Sequence, residues 1–121
     1  MNILALVTLA ATAASLATAA MAQDIAAEFR LEPSASNPIA CKALDPGLSR
    51  VHTFTLKNGA ADVKSAGGIN DEMKLAQPNV YQTVFELSGL RLDVVADVGS
   101  TPKSLTVSEK NRGCKWSATR P

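Results

Sequence analysis

Along the chain, apolar and polar positions alternate in short bursts separated by turn residues. Ile25, Ala27, Phe29 and Leu31 alternate with Glu28, Arg30 and Glu32, the period of a half-buried strand rather than a helix. That strand is expected to stop at Pro33. The segment PSASNPIACKALDPG then carries three prolines and ends in Asp45, Pro46 and Gly47, a turn signal. Within it, Asn37 is placed to cap one short helical turn, with Pro38 at the first helical position and Cys41 riding on it.

From Val51 onward the pattern reads strand, turn, strand. Asn58 and Gly59 form the two-residue signal of a type I′ hairpin. Counting outward from that turn sets Leu56 opposite Ala61, Phe54 opposite Val63 and His52 opposite Ser65 on one face. Thr55 then meets Asp62, and Thr53 meets Lys64, on the other. Apolar meets apolar and polar meets polar, which specifies the register.

Ser88 and Gly89 pass the same test. Leu87 faces Leu90, Phe85 faces Leu92, Thr83 faces Val94 and Tyr81 faces Ala96, while Glu86 sits across from Arg91. Between the two hairpins, Ile69 to Gln77 is ambiguous. Ile69, Met73 and Leu75 suit a strand with Asp71 pointing inward, whereas Asn70 as cap, Asp71 and Glu72 in a first turn and Pro78 beyond the end suit a short helix. The neighbouring strands favour strand.

After the turn GSTPKS, Leu105 and Val107 alternate with Thr106 and Ser108. A loop over Lys110–Gly113 then sets Val107 opposite Trp116 and Leu105 opposite Ala118, with Cys114 and Trp116 on one face. The expected fold class is all-β: a small antiparallel meander of six or seven strands, closing as a barrel or folding as a sandwich. Several strands fall short of the roughly 9–11 residues of a membrane barrel.

The first 22 residues change this picture. They form an Ala/Leu/Thr-rich run without charge, followed abruptly by Gln23 and Asp24, as in a cleaved secretory signal. Ala20 and Ala22 place cleavage before Gln23, although no Lys or Arg precedes the run. The rival, an uncleaved anchor, is disfavoured by weakly apolar Ala and Thr. Removing residues 1–22 leaves one small β-rich domain over 23–121, of periplasmic or secreted location and with no stable membrane insertion.

Lys plus Arg number 12 against 11 for Asp plus Glu, a net charge of +1, scattered without the basic stripe of a nucleic-acid binder. The chain holds two cysteines. In an oxidising compartment Cys41 and Cys114 are expected to pair, and the chain-entropy relation puts the stabilisation at about 4 kcal/mol, an upper figure.

Candidate chemistry is sparse. His52 is the sole histidine, which removes hydrolytic dyads and imidazole metal sites and leaves a plain strand residue. Copper-site, haem-attachment and C-x-x-C patterns are absent. A free Cys114 thiol tuned by Lys115 is outweighed by the disulfide. Asp71 and Glu72 are adjacent and so face opposite sides of a strand. Asp93 and Asp97 share a face that also carries Glu86 and Arg91, a solvated surface. Gly67 and Gly68 suit a corner rather than a phosphate loop. Trp116 and Tyr81 either fill the core or grip an apolar ligand. The G-x-W start of a lipocalin is absent.

No catalytic, metal or cofactor-binding residue is therefore assigned. The expected role is a non-enzymatic, exported β-domain that binds a partner protein or a small apolar ligand. Two alternatives stand beside it. One is an inhibitor of exported proteases, presenting GSTPKS or the Pro-rich segment around Cys41. The other is a small hydrolase built on Asp93 and Asp97 or on the Asn70-Asp71-Glu72 stretch.

Overall fold

The computed structural model describes residues 23–65 and 67–121; the expected signal segment lies outside them. Nine strands alternate with one helical excursion: β1 (Ile25–Arg30), β2 (Glu32–Pro33), a 3-10 helix (Ile39–Leu44), α1 (Asp45–Leu48), β3 (Val51–Lys57), β4 (Ala60–Ser65), β5 (Asn70–Gln77), β6 (Val80–Leu87), β7 (Leu90–Asp97), β8 (Lys103–Glu109) and β9 (Cys114–Arg120). They form one antiparallel sheet in the order β1-β3-β4-β5-β6-β7-β8-β9-β2.

The two ends of that order are neighbours in sequence, separated only by Leu31. The N-terminal run pairs with β3 through Arg30 and then with β9 at Glu32 and Pro33. One run of chain thus bridges both ends of the sheet and bends it into a nearly closed barrel rather than a sandwich. The strand count is nine, not six or seven. The difference arises in part because the N-terminal run changes partner at the buried Leu31 and becomes two strands.

All three counted registers hold. Leu56 meets Ala61, Phe54 meets Val63 and His52 meets Ser65. Leu87 meets Leu90 and Tyr81 meets Ala96, with every pair between them as expected. Val107 meets Trp116 and Leu105 meets Ala118. Alternation then packs one face inside: Phe29, Phe54, Phe85, Leu92, Val94, Leu105, Val107 and Trp116 are at most 1% exposed.

Ile69–Gln77 resolves as strand from Asn70, but one with divided partners. Asn70–Met73 pair with β4, Lys74–Gln77 pair with β6, and the register shifts between Leu75 and Gln77. Met73 is buried, Asp71 is half-buried opposite Val63, and Leu75 is 63% exposed. Beyond Met73 the strand has left β4, so Leu75 lies at the rim without a wall to cover it.

The Pro-rich segment closes one end of the barrel. Asp45, Pro46 and Gly47 form a single helical turn instead of a β-turn, with Pro46 inside the first turn of α1, where its missing N–H costs nothing. Leu44 and Leu48 insert their side chains, 3% and 0% exposed, into the barrel core. Asn37 does not cap the 3-10 helix, which has no side-chain cap at Pro38. Its amide instead binds the main chain of Lys115 in both directions at 2.9 Å, Nδ2 donating to the carbonyl and Oδ1 accepting from the N–H. This imitates a strand pair where the chain has left the sheet.

Candidate functional site

Two places bring together side chains that the sequence left apart: the closed end of the barrel and a groove on its outer wall. At the closed end, Cys41 and Cys114 are joined, with Cα atoms 5.8 Å apart and a sequence separation of 73. Both are buried, and among the described residues no cysteine is free. A thiol nucleophile at Cys114 is thereby excluded.

Trp116, fully buried, donates its indole Nε1–H to Asp45 Oδ1 at 2.8 Å. A buried tryptophan needs such an acceptor, and here the first residue of α1 supplies it. Tyr81 is 8% exposed and tilts against Phe54 at 5.7 Å between ring centroids. Both aromatics therefore belong to the core.

His52 is more than a plain strand residue. It is fully buried and stacks on Phe85, ring centroids 6.0 Å apart. Its Nε2 lies 3.0 Å from the carbonyl oxygen of Leu48, the last residue of α1. A carbonyl only accepts, so Nε2 carries the proton and Nδ1 presents a bare lone pair, buried and without a partner. Ser65, opposite His52 on β4, also has a buried hydroxyl with no partner. Burial lowers the imidazole pKa below its usual 6.5; the Leu48 carbonyl opposes that shift, and the Arg50 guanidinium reinforces it. The local pattern betrayed only that His52 faces inward. Which atoms meet it depends on a lid that arrives from a helical turn.

On the outer wall a groove of about 640 Å³ crosses β5 to β8. Glu72 and Lys74 line it on β5, Val84 on β6, Asp93 and Val95 on β7, and Lys110 beyond β8. Val84 lies beside Asp93 across the β6–β7 ladder. Lys110 Nζ is 3.4 Å from Asp93 Oδ2. The groove therefore carries two small apolar side chains between alternating charges. Linear reading missed it because its members come from four strands and a loop.

The carboxylates proposed for acid–base chemistry do not form a pair. Asp93 and Asp97 lie four positions apart on β7, about 13 Å at strand rise. Asp97 is occupied elsewhere, accepting from the N–H groups of Gly99 and Ser100 and from the Ser100 hydroxyl. Asp71 lies on the inner side of β5 and Glu72 on the outer. The side chain of Asp93 is 49% exposed and ion-paired with Lys110. Among the described residues, no three His, Cys, Asp or Glu side chains converge to hold a metal ion. No helix among them is long and apolar enough to cross a membrane.

The chain matches no family model, no curated protein and no solved structure.

Proposed function

We propose that this chain is an exported, non-enzymatic binding module that recognises a protein partner through its outer surface. The observation that carries this is the set of large apolar side chains buried inside the barrel. Phe29, Phe54, Phe85 and Trp116 meet inside it with Leu92, Val94 and Val107, where a carrier of small apolar ligands needs a cavity. The groove over β5–β8 offers Val84 and Val95 flanked by charges of both signs, a surface able to bury apolar anchors and orient polar ones. The disulfide fits an oxidising compartment.

Photo-crosslinking in the native host tests this. A crosslinker at Gln82 or Val95, in the groove, is expected to give a discrete protein adduct, and one at Thr55, on the outer face of β3, is not. The protein recovered in the same experiment is expected to begin at Gln23. Stoichiometric recovery of a small apolar molecule from the purified protein, without groove adducts, would reverse the assignment.

The protease-inhibitor alternative draws support from one observation. Ile39 is 82% exposed on a segment fastened by the disulfide and by the Asn37–Lys115 pair, and such pre-organisation lowers the cost of binding. Lack of inhibition across trypsin-like and metallo-proteases at micromolar concentration would remove it.

A further inference from the structure

We propose that His52 is an acid-released latch: protonation of its buried imidazole lifts α1 from the barrel end while the sheet stays folded. The geometry has three parts. First, α1 is held over the barrel by few bonds. Leu48 O accepts from His52 Nε2, Asp45 accepts from Trp116, and Leu31 N–H reaches the carbonyl of Arg50 just beyond, at 3.1 Å.

Second, the imidazole nitrogen that would take a second proton, Nδ1, is buried without a hydrogen-bond partner. Phe29 lies opposite it on β1, Ser65 on β4, and Phe85 stacks against it from β6. Adding a proton at Nδ1 leaves the Nε2–Leu48 bond in place but puts a cation, with a second donor that has no partner, among these groups, which is costly unless water reaches them. Third, among the described residues no carboxylate is hydrogen-bonded to the imidazole. Arg50 acts on the ring as a like charge. The carboxylate of Asp45 on α1 accepts from the Trp116 indole. That of Glu109, buried at the end of β8, accepts the N–H groups of Asn111 and Arg112. Asp71 on β5 is half-buried opposite Val63.

The lid can move without undoing the barrel. The segment is held at Cys41 by the disulfide and from Val51 by β3, and lifting α1 between these two points bares Leu48 and the end of the core. This device is independent of the outer groove and stands or falls separately from it.

The sign follows from linkage. The closed form holds His52 below its ordinary pKa of 6.5, so the open form binds more protons and acid favours opening. The open population should rise about tenfold for each pH unit below 6.5 until the closed-form pKa is passed.

The test uses the full mature protein with its disulfide intact. Hydrogen exchange, corrected for intrinsic rates, is measured at about pH 7.5 and 5. Loss of protection at Leu31, Ser49 and Arg50, with the β6–β7 amides unchanged, is the expected result, and His52→Gln should abolish the difference. In the wild type the sole histidine gives one unambiguous NMR titration, expected below 6.5. Uniform loss across the barrel, pH dependence that persists in His52→Gln, or an imidazole titrating at or above 6.5 would each overturn the proposal. Should His52→Gln fail to fold, the wild-type titration and exchange map decide the matter alone.

Discussion

Trp116 shows what one side chain contributes at the closed end of the barrel. Its ring is buried and its indole N–H is bound by Asp45, so it joins β9 to α1 by packing and by a charge-assisted hydrogen bond. Trp116→Phe keeps most of the apolar volume but removes the donor and leaves a gap. It is expected to cost about 2 kcal/mol, read as a lower urea midpoint with an unchanged slope. Asp45→Asn retains an acceptor and should cost less than half as much. The inward position of Trp116 was legible from its alternation with Cys114 and its place opposite Val107. Its bond to Asp45 was not, because 71 residues separate the two and nothing in either neighbourhood announces the other. His52 repeats the lesson, being inward by alternation yet given its meaning by a carbonyl on α1.

Among the elements, the hairpins are the most locally specified. Asn58 and Gly59 adopt φ of 53° and 82°, and Ser88 and Gly89 adopt 52° and 77°, the paired positive values of a type I′ turn. An added Cβ at Gly89 meets nothing within 4 Å, so Gly89→Ala tests backbone strain alone and should cost about 1 kcal/mol. Ser88→Asn, which supplies a residue better suited to positive φ, should gain about 0.5 kcal/mol. Both are checked by thermal or urea unfolding. Glu86 and Arg91 pair at 3.2 Å across this hairpin with exposures of 65% and 74%, worth a few tenths of a kcal/mol. What eluded local reading was β2, α1 and the divided pairing of β5, whose strand character the neighbouring strands had favoured. Each depends on a remote partner: Trp116 and Ser117 for β2, a change from β4 to β6 for β5, and the barrel core for Leu44 and Leu48.

For the whole molecule, the disulfide joins its most regular part to its least regular. Asn37 and Ser34 add three hydrogen bonds to Lys115, but Ser34–Leu48 otherwise lacks the ladder that secures the strands. Reduction, or the paired change Cys41→Ser with Cys114→Ser, removes up to about 4 kcal/mol through the 73-residue loop. Exchange protection should vanish first over residues 37–50 and only later in the β3–β4 and β6–β7 hairpins. Simultaneous loss everywhere would mean that the lid and barrel fold as one unit. Hydrogen exchange with mass spectrometry distinguishes the two outcomes.

Local chemistry settled whatever can be read within some twenty residues: turn type from Asn-Gly and Ser-Gly, register from the turns, and the inward face from alternation. These follow because a strand's side chains alternate and a two-residue turn admits one pairing. Closure as a barrel, the change of partners along β5, the seating of α1 and the groove over β5–β8 came only with the tertiary structure. Each requires distant segments to meet, and a chain's short-range pattern carries no record of which distant atoms will share a wall. Cys41–Cys114 belongs to both: with two cysteines there was one pairing to expect, yet only the fold showed that it pins a lid.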